Sequence, residues 1–278
     1  MHPALNKRYA VPNWHYDTIQ EESDCVEPES RMLDVVRAMA DQEAPDFSSV
    51  DWDKELQGFG EIEFPAYYRQ PFHSVPGGYL SQAAAIGDRC AMEAIYRDDH
   101  PRRSLGLREA LATCVPEDAR TVADLGCGSG DGAAAIARRL PGAQVTAVDA
   151  SPFMLIAARH QNPDLANLAF EQGFAEQTRF DAASQDAVTI TLVFHECPDE
   201  IKRRVLEEAH RILRPGGALS LSDTPQTDLH SYRGFYEPYK EQWLAFDPAA
   251  FLQETGFEAI ASDDVAPPLW TFTARKPA

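Results

Sequence analysis

Residues 122 to 130, Val-Ala-Asp-Leu-Gly-Cys-Gly-Ser-Gly, place a short apolar strand directly ahead of three alternate glycines. Asp149 follows Gly130 by 19 residues and closes a second apolar stretch, Gln144-Val145-Thr146-Ala147-Val148. A strand, a glycine turn, a helix and a second strand ending in an acid constrain the chain to a parallel α/β sheet. Such a sheet holds a nucleoside cofactor across the carboxyl ends of its strands. The first glycine can take a left-handed turn, and the next two omit side chains that would keep the backbone off a ligand. Asp149 then stands where a carboxylate accepts hydrogen bonds from both ribose hydroxyls.

The glycine register selects among nucleosides. A dinucleotide site requires Gly-x-Gly-x-x-Gly, with the helix N-terminus aimed at a pyrophosphate. Here the glycines are Gly126, Gly128, Gly130 and Gly132, and Asp131 fills the register position. A carboxylate at the helix start, with Asp124 just ahead of the turn, is a poor neighbour for a pyrophosphate. It suits a cofactor with a positive centre and an amino group, and it argues against a nicotinamide-dependent oxidoreductase.

Four motifs then occur in order: Asp124-Leu-Gly-Cys-Gly-Ser-Gly130, Val148-Asp149-Ala-Ser-Pro-Phe-Met154, Phe180-Asp181 with Ser184-Gln-Asp186-Ala-Val188, and Leu213-Arg-Pro-Gly-Gly-Ala-Leu219. In these motifs residues 105 to 275 resemble the class I S-adenosylmethionine-dependent methyltransferases, of the type 11-like kind. The resemblance implies S-adenosyl-L-methionine as cofactor, with S-adenosyl-L-homocysteine as its demethylated product. It also implies an α/β fold with a Rossmann-like sheet of seven strands, mostly parallel, closed by an antiparallel C-terminal hairpin. By family position Gly126, Gly128 and Gly130 face the methionine part, Asp124 lies near its amino group, Asp149 holds the ribose, and Ala150 and Met154 border the adenine. Cys127 and Val193 complete the cofactor-binding set with Gly173, Phe174 and Ala175, which follow the third strand. The family usually offers an acidic or polar side chain to the adenine amine at the position of Phe174, so backbone groups of Phe174 and Ala175, or Glu176, are left for that task.

The motifs sit in alternating elements. The pattern predicts strands at 121–125, 144–149, 168–171, 187–193 and 217–223, helices at 130–140, 152–160 and 199–213, a helix near 248–255, and a hairpin from 257–260 and 269–274. Pro198 stands at the first turn of helix 199–213 and Pro215-Gly216-Gly217 follows it, matching start and stop signals. The first hundred residues differ. Apolar faces at 29–43 and 79–96 predict helices there, divided by the aromatic and proline-rich stretch 64–79. The expected division is a mainly helical amino-terminal cap or lid, 1–115, and a cofactor-binding domain, 116–278.

The chain has 44 acidic and 25 basic residues, a formal net charge of −19. Binding to nucleic acid needs clustered Lys and Arg against phosphates, so a small-molecule substrate is the expected class. Lys202-Arg203-Arg204, beside Glu200, Glu207 and Glu208, reads as i,i+4 pairing on a solvated helix face. No apolar run approaches the ~20 residues that span a bilayer, and the opening residues lack a signal-peptide core. The expectation is a soluble, cytoplasmic protein without membrane contact. The five cysteines are odd in number and widely spaced, without a Cys-x-x-Cys pair, which predicts reduced thiols and no zinc cluster. His-Glu-x-x-His would need histidine at Asp199, so no metal site is expected.

Tyr67-Tyr68, Pro71-Phe72-His73 and His195-Glu196-Cys197-Pro198 extend the resemblance to a subgroup found in bacteria and plants. His195 and Glu196 follow the fourth strand, at the carboxyl edge where the transferable methyl should project. Two readings stand for them: a general base with an acceptor-orienting partner, or a packed histidine with Glu196 favoured near a helix start. His73, with Tyr67 and Tyr68, is the second catalytic and substrate-binding candidate, as a lid or as packing. Tyr232, Tyr236 and Tyr239, with Phe235, Trp243 and Phe246, line an aromatic acceptor pocket, hold a cation by their ring faces, or make the contact of a homodimer. A cofactor-binding regulatory or scaffold protein without transfer is the competing function.

Overall fold

The computed structural model of the chain describes residues 46–75, 77–95, 104–226 and 237–278. Its strands are β1 (Thr121–Leu125), β2 (Gln144–Asp149), β3 (Leu168–Gln172), β4 (Gln185–Thr191), β5 (Leu213–Asp223), β6 (Glu258–Asp263) and β7 (Trp270–Arg275). Its helices are α1 (Trp52–Leu56), α2 (Gln82–Ile95), α3 (Leu107–Ala112), α4 (Asp131–Arg139), α5 (Pro152–Gln161), α6 (Asp199–Ile212), α7 (Lys240–Leu244) and α8 (Pro248–Glu254). The strands form one seven-stranded sheet in the order β3-β2-β1-β4-β5-β7-β6. β1 to β5 pair in parallel, and β7 runs antiparallel to both β5 and β6. This is the Rossmann-like sheet that the motifs imply.

Strand order reverses beside β1, with β2 and β3 on one side and β4 and β5 on the other. A crevice opens at such a switch point, beyond the carboxyl ends of β1 and β4. Both central strands are covered on both faces, so Val122, Ala123, Leu125, Val188 and Ile190 are wholly buried and read as apolar runs. α6 lays Ile201, Val205, Leu206, Ala209 and Ile212 against them. Truncating a side chain as enclosed as Leu206 would cost about 2–5 kcal/mol. α5 starts on a cap: the Ser151 hydroxyl accepts the Met154 N–H at 3.2 Å, and Pro152 fills the first helical position. The Ser151 hydroxyl also donates to the Tyr79 carbonyl at 2.7 Å, tying the amino-terminal segment to the sheet.

Three local differences from the sequence reading matter for the site. β4 ends at Thr191, not at 193, because Leu192 is left-handed (φ 58°) and turns the chain into a short 3₁₀ segment, Phe194–Glu196. Lys202 is fully buried rather than solvated. It pairs with Asp199 at 2.7 Å and stands 4.9 Å from the Phe246 ring centroid, while Arg203 reaches Glu254. Trp243 and Phe246 belong to the core, stacked on each other and, for Trp243, on Trp270. Residues 29–43, Tyr232 and Tyr236 lie outside the described residues. Among those described, no helix is long and apolar enough to cross a membrane.

Candidate active site

The crevice encloses about 260 Å³ and is lined at one end by the turn after β1 and by the ends of β2 and β3. Gly126, Gly128 and Gly130 all take positive φ, at 73°, 52° and 82°. Their reasons differ. A Cβ on Gly126 would meet Val193 Cγ2 at 2.5 Å, and one on Gly130 would meet the Phe170 ring at 2.7 Å. Gly130 caps α4, and its α-carbon packs against Phe170. Of these three glycines, Gly128 alone lets an added Cβ meet nothing within 4 Å and stand in space a ligand can fill.

Asp149 closes β2 with its carboxylate in the crevice. One oxygen accepts the Gly128 N–H at 2.9 Å, and the other accepts the Ser151 N–H at 2.8 Å and the Tyr68 hydroxyl at 3.4 Å. Burial pushes its pKa up to about 6, against those hydrogen bonds. Asp124, at the penultimate position of β1, is also raised by burial and accepts the Thr189 hydroxyl at 2.7 Å. Ala150, Met154, Gly173, Phe174, Ala175, Cys127 and Val193 complete this end. Glu176 Oε1 is occupied by the Tyr67 hydroxyl at 2.5 Å. A buried carboxylate at the end of β2, an open cradle at Gly128 and acids around the turn are the donor set that a ribose, a methionine moiety and a sulfonium require.

The other end holds charge. His195 is buried, and its Nδ1 donates to Asp223 Oδ1 at 2.7 Å. The second Asp223 oxygen accepts the backbone N–H of Phe194 at 2.9 Å and of His195 at 3.2 Å. Asp223 ends β5, and it has no solvent exposure. His195 Nε2 lies 3.6 Å from Glu196 Oε1. That same oxygen meets His73 Nε2 at 2.6 Å and accepts the Tyr79 hydroxyl. His73 Nδ1 meets Glu237 Oε1 at 2.6 Å. With a carboxylate on each ring nitrogen, His73 is an imidazolium donating on both sides. Burial would depress its pKa, but Glu237 and Glu196 outweigh that and hold it well above its ordinary value. Likewise Asp223 outweighs burial and raises His195, and His73 outweighs burial and lowers Glu196. Asp88, beside Arg108, is pushed up to about 7 by burial.

Thus His73, His195, Glu196, Tyr67 and Tyr68, far apart in sequence, line one cavity with the cofactor residues. Tyr239 does not line it; its ring packs on Phe72 and its hydroxyl donates to the Tyr67 carbonyl at 3.5 Å. The residues not anticipated are Asp223, Glu237, Tyr79, Asp88 and Arg108. Asp223 carried a signal, since an acid closing an apolar strand of a doubly wound sheet lies at the crevice edge.

Residues 122–217 match the model of a methyltransferase domain. The chain is 34% identical over 131 residues to trans-aconitate 2-methyltransferase of Azoarcus sp., covering 47% of this chain and 49% of that protein. It is 35% identical over 119 residues to demethylmenaquinone methyltransferase of Chlorobaculum tepidum, covering 43% and 47% respectively. The chain thus spans about half the length of the curated relatives it matches. The solved structure of human N-acetylserotonin methyltransferase in complex with SAM shares the fold, with a TM-score of 0.55 at 17% identity over 72% of this chain and 58% of that one. Residues 122–217 thus form a methyltransferase domain on the seven-stranded sheet, of the kind that takes S-adenosyl-L-methionine as cofactor.

Proposed function

We propose that the chain transfers a methyl group from S-adenosylmethionine to a small-molecule acceptor held beneath its amino-terminal segment. The observation that carries this reading is the single cavity lined by Asp149 and Gly128 at one end and by His195, Glu196 and His73 at the other. The bound cofactor supplies an electrophilic methyl on a positively charged sulfur. The chain's own residues do the rest: Asp149 and the Gly128 turn fix the donor, and His195 and Glu196 face the acceptor. Transfer from a sulfonium is an in-line displacement, so alignment and exclusion of water are the main protein contributions.

The aromatic segment that carries Tyr67, Tyr68, Phe72 and Tyr79 forms the lid of this reading, within the cap assigned to residues 1–115. Buried ionisable groups at the acceptor end are costly to keep and are the mark of a chemical site rather than a scaffold. Acceptor choice follows from the lining. An acidic acceptor, as in the name of the Azoarcus relative, would face Glu176, Glu196, Glu237 and Asp88 with Arg108 and His73 as cations. An uncharged aromatic ring matches Tyr67, Tyr68 and Phe72 better. A cytoplasmic setting accords with the free thiols of Cys114, Cys127 and Cys197.

Calorimetry with S-adenosylhomocysteine followed by incubation of labelled cofactor with panels of uncharged aromatic and acidic small molecules tests the reading. Stoichiometric cofactor binding with label passed to an aromatic acceptor is expected. Cofactor binding without transfer to any member of a broad panel would turn the assignment toward a regulatory protein.

A further inference from the structure

We propose that His73, His195 and Glu196 bind one divalent transition-metal ion at the acceptor end of the cavity. The proposal deepens the reading of that end as the acceptor site, but its test does not depend on transfer. One ligating atom from each of the three residues lies within 4.8 Å of the other two. Glu196 Oε1 stands between the two imidazoles, 2.6 Å from His73 Nε2 and 3.6 Å from His195 Nε2. Two histidines and one carboxylate facing a cavity, with positions left open, are a recurrent protein set for Zn²⁺ and Fe²⁺.

What separates this cluster from an ordinary ion pair is its outer layer. The nitrogen of each ring that points away from the cluster is held by its own carboxylate, His195 by Asp223 at 2.7 Å and His73 by Glu237 at 2.6 Å. Metal-ligating histidines almost always donate their second N–H in this way, which fixes ring orientation and strengthens the ligand. Asp223 and Glu237 come from separate parts of the chain, so the pattern arises twice independently. Glu237 is buried, and its Oε2 has no hydrogen-bond partner although the residue lines the cavity. That oxygen is an acceptor for a hydrogen on metal-bound water or on a bound acceptor molecule. His73 is also held in a left-handed conformation, φ 53° and ψ 29°. Such strain persists at non-glycine residues where the surroundings require one side-chain direction.

The imidazole nitrogens set the metal class. Mg²⁺ and Ca²⁺ take oxygen ligands, whereas two nitrogens with one carboxylate favour Zn²⁺, Fe²⁺ or Co²⁺. The ion would take the place of the proton between His73 Nε2 and Glu196 Oε1, which leaves to solvent. Its open positions would face the cavity, where an oxygen or nitrogen of the acceptor can coordinate.

The test uses the full chain, stripped with a chelator and titrated with Co²⁺ by visible absorption and with Zn²⁺ by calorimetry. S-adenosylhomocysteine binding is measured on the same samples. One ion per chain is expected, with ligand-field bands of Co²⁺ in a nitrogen and oxygen site. His195→Ala and Glu196→Gln should abolish the bands, and Asp223→Asn should weaken affinity about 10–100-fold. Cofactor affinity should hold within about threefold in these variants, which also reports that they fold. A wild-type chain that binds S-adenosylhomocysteine but no ion would overturn the metal site and leave the cofactor reading standing. An ion whose affinity ignores both His195→Ala and Glu196→Gln would overturn it equally. Ion binding without S-adenosylhomocysteine binding would uphold the metal site and sink the methyl-transfer reading.

Discussion

The carboxylate of Asp223 accepts the Nδ1–H of His195 at 2.7 Å and, through its other oxygen, the backbone N–H of the same residue at 3.2 Å. Ring and backbone are thus fixed by one side chain at the end of β5. Asp223→Asn should reduce turnover about 100-fold or more while leaving S-adenosylhomocysteine affinity nearly unchanged. Asp223→Ala, which leaves buried N–H groups of Phe194 and His195 without an acceptor, should also lower unfolding free energy by about 2–3 kcal/mol. Steady-state kinetics and denaturant unfolding check both. Asp223→Asn kinetics equal to wild type would remove His195 orientation from the account.

Asp149 gives the cofactor step a pH dependence. Burial raises its folded pKa to about 6 from the ordinary 3.8, so the cofactor-free site takes up a proton as pH falls through about 6. Ribose hydroxyls bind the carboxylate, not the acid, so S-adenosylhomocysteine affinity should be constant above that pH and decline about tenfold per pH unit below it. Proton release on binding, read by calorimetry in two buffers near pH 6, carries the same sign. Asp149→Ala should weaken binding about 100-fold at pH 8 and flatten the profile.

The same raised pKa bears on the empty protein. A carboxyl group with a folded pKa above its unfolded value contributes stability that is complete below about 4 and is lost as pH rises through about 6. Cofactor binding offsets that loss, so thermal stabilisation by S-adenosylhomocysteine should be larger at pH 7.5 than at pH 5. A melting series with and without ligand at the two pH values reads it, and an equal shift at both would contradict the ribose role.

Gly126 and Gly128 separate packing from ligand space. Gly126→Ala forces a Cβ to 2.5 Å from Val193 at φ 73° and should destabilise the fold by about 2–4 kcal/mol. Gly128→Ala meets no protein atom within 4 Å at φ 52°, so its stability cost should stay near 1–2 kcal/mol. Its loss should appear in cofactor affinity instead. If S-adenosylhomocysteine binds Gly128→Ala as tightly as wild type, the turn does not face the cofactor.

Lys202 tests how α6 is covered. Its ammonium is fully buried, paired with half-exposed Asp199 and placed over Phe246. Asp199→Ala leaves that charge with ring contacts only and should cost about 2 kcal/mol, whereas Lys202→Met should be nearly neutral. Chemical unfolding of the two variants gives the comparison.

The sheet and the glycine turn were legible because they are local. A parallel strand buried on both faces reads as an apolar run, and the spacing from the glycine turn to Asp149 marks where two such strands end. The acceptor half is assembled from contacts across the chain: His73 meets Glu196 across 123 residues and Glu237 across 164. No periodicity records such a meeting. Lys202 was misjudged for a related reason, since its helix face looks polar in isolation and becomes interior only once Phe246 and Trp243 lie on it.

The hydroxyl of Ser151, which caps α5 and also holds the Tyr79 carbonyl, joins the two halves of the molecule at one atom. Tyr79 in turn reaches Glu196, so the start of α5 and the charged end of the cavity are linked through Ser151, Tyr79 and Glu196. Occupancy of the donor pocket therefore has a short covalent and hydrogen-bonded route by which to be felt where the second reactant docks, and order of addition in the kinetics is where that linkage would register.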